Sequence, residues 1–210
     1  MRLLLCCLAA LTLAGCFAKP GLKIKEDQAV APAAAAAPEP ETVVEVAALL
    51  PLLNRTEFEE APLVVGKALA DELAAAAPFR LIRPEAVPGL AAPLYELGVI
   101  PRLLAEVDQS GRTAPEVARL VGQGLKADAL LVANVTFYQQ FVDRLPDGAP
   151  GEAYTTVVGG EVHLIDARSG RALWKAAKVR RDRGAALQIF PSLQDTARGL
   201  AFDLVATLPK

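Results

Sequence analysis

A single histidine, His163, is available to a chain of 210 residues, so any histidine-based triad or multi-histidine metal site has to use it. On strand alternation it shares a face with Glu161, which makes a two-ligand fragment, and no carboxylate at a suitable spacing adds a third. That leaves His163 as a solvent-facing or partly packed strand residue. The carboxylates Asp128, Asp143, Asp147, Asp166 and Asp182 fall at expected strand ends and turns, where aspartate is favoured because its side chain bonds nearby amides. Gly159-Gly160 and Gly122-x-Gly124 match neither a phosphate-binding loop nor a dinucleotide fingerprint; strand irregularity and a helix stop account for them. These residues point to a protein that is not an enzyme, with no catalytic residue, no cofactor and no metal ligand.

The remaining reactive side chains are thiols. Arg2 opens the chain with a positive charge, Leu3 to Leu13 form an apolar run, and Ala14-Gly15 supply a small-residue cleavage site, the layout of a secretory signal. Leu13-Ala14-Gly15-Cys16 resembles the lipobox of bacterial lipoproteins, in which the cysteine thiol takes a diacylglycerol, the signal is cut just before it and the new amine is acylated. The resemblance implies a signal peptide over 1–15 and a lipid attachment site at Cys16, with fatty-acyl chains such as palmitate holding the protein to a membrane. Burial of acyl chains contributes about 0.8 kcal/mol per methylene, and stable anchoring takes at least two chains. Phe17 stands where, in the Gram-negative sorting pattern, an aspartate favours inner-membrane retention, which implies an outer-membrane, periplasm-facing placement. Cys6 and Cys7 leave with the signal and Cys16 is committed to lipid, so no thiol remains for a disulfide, a zinc cluster or a nucleophile.

Residues 16–42 carry Pro32, Pro38 and Pro40 around Ala33 to Ala37, with little to bury. They form a flexible tether that could reach on the order of 80 Å when extended. No segment after the signal approaches the ~18 apolar residues of a membrane helix. A formal net charge of −2 argues against a general polyanion binder, and nucleic acid is not expected as a partner.

A single domain is expected over 43–210. Val43 to Leu52 reads as a buried first strand, and Pro62 opens a helix with Val65, Leu69, Leu73 and Ala76 on one face. Phe79 to Arg83 form a short strand. Brief helical pieces near Leu94 to Leu97 and Arg102 to Val107 are broken by Gly98 and Pro101. Thr113-Ala114-Pro115-Glu116 is a capping box for a helix carrying Val117, Leu120 and Val121 that stops near Gly124. Asp128 to Val142 alternates, with Leu131, Ala133, Val135, Phe137 and Phe141 on one face and Asn134, Thr136, Tyr138 and Gln140 on the other. A polar loop over 143–151 leads to a strand over 154–166, a turn at Asp166-Ala167-Arg168-Ser169-Gly170 and a return strand over 171–179. Ser192 caps a final helix facing inward with Leu193, Ala197, Leu200, Ala201, Leu204 and Leu208. The fold class is α/β (α+β): one mixed β-sheet with helices packed against it, in the order β-α-β-α-β-β-β-α.

Leu49-Leu50-Pro51-Leu52-Leu53-Asn54, Ala127-Asp128-Ala129-Leu130-Leu131 and Leu164-Ile165-Asp166-Ala167-Arg168-Ser169-Gly170-Arg171-Ala172-Leu173-Trp174 resemble three motifs of a superfamily of bacterial envelope lipoproteins. Its members include penicillin-binding-protein activators, the curli secretion channel subunit and small uncharacterised surface lipoproteins, and the N-terminal domain of the Tol system's periplasmic protein has a related fold. Lys126 stands where glycine is commoner. The resemblance implies a scaffold more than a role: a non-catalytic accessory factor for a cell-wall synthase or a secretion or assembly machine, or alternatively one subunit of an oligomeric outer-membrane channel. Homo-oligomerisation stays open.

Two groups could meet another envelope protein. Tyr138, Phe141 and Tyr154 flank the polar loop, as a docking cluster or as core. Trp174 adjoins the one basic concentration, Lys175, Lys178, Arg180, Arg181 and Arg183, which reads either as a site for an acidic partner or as the solvated edge of a sheet. The candidate partner-binding residues are therefore Tyr138, Tyr154, Trp174, Lys178, Arg180 and Arg181.

Overall fold

The apolar run after Val43 breaks at its proline. Strand β1 (Val46–Leu49) hands on one more ladder bond, from the Leu50 amide to the Leu131 carbonyl at 2.9 Å, and then Pro51 has no N–H to give. Pairing resumes as β2 (Leu53–Asn54). The Asn54 side chain folds the next turn by accepting from the Thr56 amide (2.9 Å) and donating to the Phe58 carbonyl (2.8 Å). This computed structural model describes residues 43–144, 152–184 and 191–209, all within one unit, Glu41–Lys210. The signal over 1–15, Cys16, the tether to 42 and the loop over 145–151 with Asp147 lie outside the described residues.

Helix α1 (Ala61–Ala76) has Pro62 as its second residue, where the missing N–H costs nothing in a first turn, and buries Val65, Leu69 and Leu73. After β3 (Arg80–Ile82) come α2 (Val87–Leu90), α3 (Ala92–Glu96) and α4 (Val99–Ser110). Pro101 does not break α4: it is the third residue, where the amide needs no helical partner. Helix α5 (Pro115–Leu125) runs past Gly124 and ends at Lys126, in the left-handed conformation (φ 54) that suits the glycine expected there. The long strands β4 (Ala129–Arg144), β5 (Glu152–Asp166) and β6 (Ala172–Gly184) follow, and then α6 (Leu193–Val205), capped as expected by the Ser192 hydroxyl accepting from the Asp195 amide at 3.0 Å.

The six strands form one mixed sheet in the order β3-β1-β4-β5-β6, with β2 also on β4. Strands β1 and β3, β1 and β4, and β2 and β4 run parallel, whereas β4–β5–β6 is an antiparallel meander. One face carries α1 and α6 around Leu49, Leu69, Leu131, Leu164, Leu200 and Leu204. The other carries α2 to α5 around Leu50, Leu103, Val121, Leu130 and Ile165. The expected mixed α+β domain is the one observed.

The expected capping box is not formed. The N-cap of α5 is Ala114, with no side-chain cap. The Thr113 hydroxyl donates instead to Glu106 of α4 (2.5 Å), and the same carboxylate oxygen accepts from the Ala114 amide at 3.0 Å. Those two bonds, with Arg102 beside them, bring the Glu106 carboxyl down to about 2. A carboxylate from the preceding helix thus does what Glu116 does in a local box. Leu120, expected inward, is 49% exposed, and Ala118 and Gly122 line the buried side of α5 instead.

Two aspartates hold the loops of the resembled motifs. The Asp128 carboxylate accepts from the amides of Glu45 (3.2 Å) and Val46 (3.0 Å), fixing the start of β1. Asp166 accepts from the Arg168 amide (2.9 Å) and the Ser169 hydroxyl (2.8 Å), closing the turn into β6.

Candidate functional site

Register decides which side of β4 meets the core. Val135 pairs with Gly160 and Phe137 with Gly159, so Thr136 is an extra residue opposite no partner. A Cβ on Gly159 would lie 2.9 Å from both Phe137 Cδ2 and Thr136 Oγ1, so the glycine makes room for the bulge. One added residue reverses every side chain beyond it. Tyr138 therefore turns into the core with Val135 and Val158, while Phe137 and Phe141 turn out, the reverse of the alternation expected from the sequence.

The cross-strand rows Phe137–Gly159–Val179, Gln139–Val157–Arg181 and Phe141–Thr155–Arg183 share the face that α2 to α5 cover elsewhere. Those helices pack on the other end of the strands, against Leu130, Val132 and Ile165, and among the described residues do not cover these rows, whose β4 and β6 members are exposed although Thr155 and Val157 between them are buried. Phe137 is 50% exposed, Phe141 45% and Val179 58%. Arg181 and Arg183 form no ion pair among the described residues. Two aromatic rings and a valine beside two unpaired guanidinium groups suit an apolar surface edged with carboxylates.

The residues nominated from the sequence are dispersed. Tyr138 is 3% exposed and its ring lies 5.8 Å from that of Phe58, so it is core. Trp174 is 8% exposed and its Nε1–H donates to the Thr207 carbonyl at 3.0 Å. Tyr154 is half-buried in β5, opposite Val142 and Gly184. The basic concentration is divided between two faces of β6. Arg180 is spent on structure, with Nε on Asp182 (3.1 Å) and Nη1 on Asp203 of α6 (3.0 Å). Lys175 is paired with Glu161 (2.5 Å), and Lys178 is exposed on the α6 side. Arg181 alone of the six nominated residues belongs to the bare rows. Sequence reasoning groups Arg183 with Arg181 in the basic concentration but misses Phe137 and Val179 as their neighbours; Gly159-Gly160 is the available signal.

His163 is buried, not solvent-facing. It sits beneath the end of α4, where Gly111 (φ 72) caps the helix and a Cβ would come within 3.4 Å of the imidazole. Its Nε2 lies 2.9 Å from Glu161 Oε1, while Nδ1 has no partner among the described residues. Glu161 shares the face as expected, and Lys175 completes an acid–base pair rather than a metal site: no group of three His, Cys, Asp or Glu among the described residues could hold an ion. Burial pushes the imidazole below its ordinary 6.5, against the pull of Glu161 and with Lys175 opposing protonation and Asp108 favouring it. Below 6.5 the unfolded chain binds a proton that the folded one refuses, so stability falls as pH drops from 6.5 through the folded value. Urea midpoints between pH 5 and 7 should therefore rise with pH in the native chain and flatten in His163→Gln. A native midpoint that falls as pH rises would contradict this burial effect.

No family model matches the chain, and no curated protein does. Solved structures do. The lipoprotein GNA1162 from Neisseria meningitidis is 20% identical over 66% of this chain and 83% of its own, with a TM-score of 0.43. A PelC dodecamer from Paraburkholderia phytofirmans is 18% identical over 77% of this chain and 84% of its own, TM-score 0.43. The LpoB C-terminal domain from Escherichia coli is 15% identical over 66% and 83%, TM-score 0.39. Bacterial lipoproteins are thus among the solved structures that this chain resembles. Identities this low transfer no role.

Proposed function

We propose that the chain is a lipid-anchored accessory protein of the bacterial envelope that binds another envelope protein through the bare face of β4–β6. Residues 1–15 are the signal, Cys16 carries the lipid in the outer membrane, residues 16–42 are the tether, and the domain over 43–210 works in the periplasm without catalysing a reaction. The bare rows around Phe137, Phe141, Val179, Arg181 and Arg183 carry the proposal, because an aromatic face left open on an otherwise covered sheet suits a protein partner. Lipid supplies location and the tether supplies reach. Confinement to one compartment raises effective concentration, so modest intrinsic affinity is enough.

Photo-crosslinking residues placed at Phe137 and Phe141 in the full-length protein in cells test this, with Leu120 and Phe202 as exposed controls elsewhere. The expected result is one discrete adduct from 137 and 141, lost at least tenfold in Arg181→Glu/Arg183→Glu with the melting temperature unchanged. Equal capture from the control positions, or capture indifferent to the arginines, overturns it. Adducts made only of this chain, in ring-sized multiples, would make it an oligomer subunit instead.

A further inference from the structure

Three cations without an ion pair among the described residues lie where the chain enters the domain. Arg119, Lys126 and Arg168 line one open depression of about 460 Å³ at the ends of α5 and β5, and Arg119 Nε donates to the Arg168 carbonyl at 3.1 Å. None of the three forms an ion pair among the described residues, whereas Arg180 and Lys175 are both paired. Among the described residues the only carboxylate lining the depression is Asp128, whose Oδ2 is taken by the Glu45 and Val46 amides. Those same two bonds bring the first described residues to the rim. Arg80 begins β3 at this end, its amide on the Glu45 carbonyl at 2.9 Å, and Glu45 is an exposed acid beside them.

We infer that this end of the domain rests on an anionic phospholipid surface, the membrane that holds Cys16. The inference rests on the lipid anchor proposed above and adds an orientation to it. A chain leading from a bilayer enters the domain among three unpaired cations, so the face turned to the lipid phosphates is the one built to meet them. Attraction falls away within a Debye length, and the tether keeps the domain close enough for weak contacts to count. Strand β5 runs from the bare rows at Gly159 down to Asp166 at the cationic end, about 24 Å at the strand rise. Docked in this way, the domain holds Phe137 and Phe141 away from the membrane and open to the periplasm.

Full-length protein reconstituted with vesicles of phosphatidylcholine, or of phosphatidylcholine with one part in four phosphatidylglycerol, tests both steps. A fluorophore on Gln123→Cys, at the rim of the depression, is read against a headgroup-level quencher, and flotation reads anchoring. Flotation with both vesicle types, and quenching at least fivefold stronger with phosphatidylglycerol, are expected. Raised salt, Lys126→Glu/Arg168→Glu and Arg119→Gln should each reduce that quenching, and the salt titration needs no variant to fold. Flotation on both vesicle types with equal quenching overturns the inference and leaves the anchor. Flotation and quenching only with phosphatidylglycerol support the cationic surface and overturn the anchor.

Discussion

Replacing Gly170 with alanine should destabilise the domain by about 2–5 kcal/mol, from a left-handed backbone that a Cβ opposes and an overpacked contact that has no room to relax. Gly170 has φ 70, and a Cβ built on it falls inside the van der Waals envelope of the Thr113 carbonyl oxygen. That carbonyl is fixed, because the Thr113 amide donates to the Gly170 carbonyl at 3.0 Å and its hydroxyl is held by Glu106. Relief would require the β5–β6 turn to part from the segment entering α5. Gly98 provides the control: it also has φ 70, and a Cβ there meets nothing within 4 Å. Gly98→Ala should lose only the backbone part, about 1–2 kcal/mol. Urea denaturation of both variants separates conformation from contact. A Gly170→Ala midpoint no lower than that of Gly98→Ala would remove the contact from the account.

Trp174→Ala should cost about 3–5 kcal/mol, and the loss should appear as unfolding and not as loss of partner binding. The indole pairs across the ladder with Leu164 and bonds the Thr207 carbonyl just past the end of α6, tying the edge strand to the segment that leaves the last helix. Trp174→Phe keeps an aromatic filler and loses the N–H donor, so it should cost about 1–3 kcal/mol. Thermal melts of both variants, with photo-capture from Phe137 measured on the folded fraction, distinguish the roles. Wild-type melting with lost capture would return Trp174 to the binding surface.

The failures of the sequence reading have one shape. Alternation along Asp128 to Val142 was right as far as Val135 and wrong beyond it, since the bulge at Thr136 is specified by Gly159 on the neighbouring strand. The five cations near β6 were adjacent in sequence, but alternate residues of a strand point to opposite faces. Arg180 then met Asp203, which is 23 residues away. Thr113 had a local partner in Glu116 and took Glu106 instead, because α4 presents that carboxylate to the hydroxyl and the Ala114 amide together.

By itself the sequence determined what lies within a few residues' reach: the order of strands and helices, the proline start of α1, the Ser192 cap, and the Asp166 turn. Hydrophobic period, missing amides and side chain–backbone bonds over two or three residues are local quantities. The tertiary structure alone decided that Phe137 and Phe141 face out, that Tyr138 and Trp174 are core, and that Arg119, Lys126 and Arg168 gather round one depression without an ion pair among the described residues. A side chain's face, burial and charge partner depend on strands and helices distant in sequence, and a single unpaired residue between two strands is enough to reverse them.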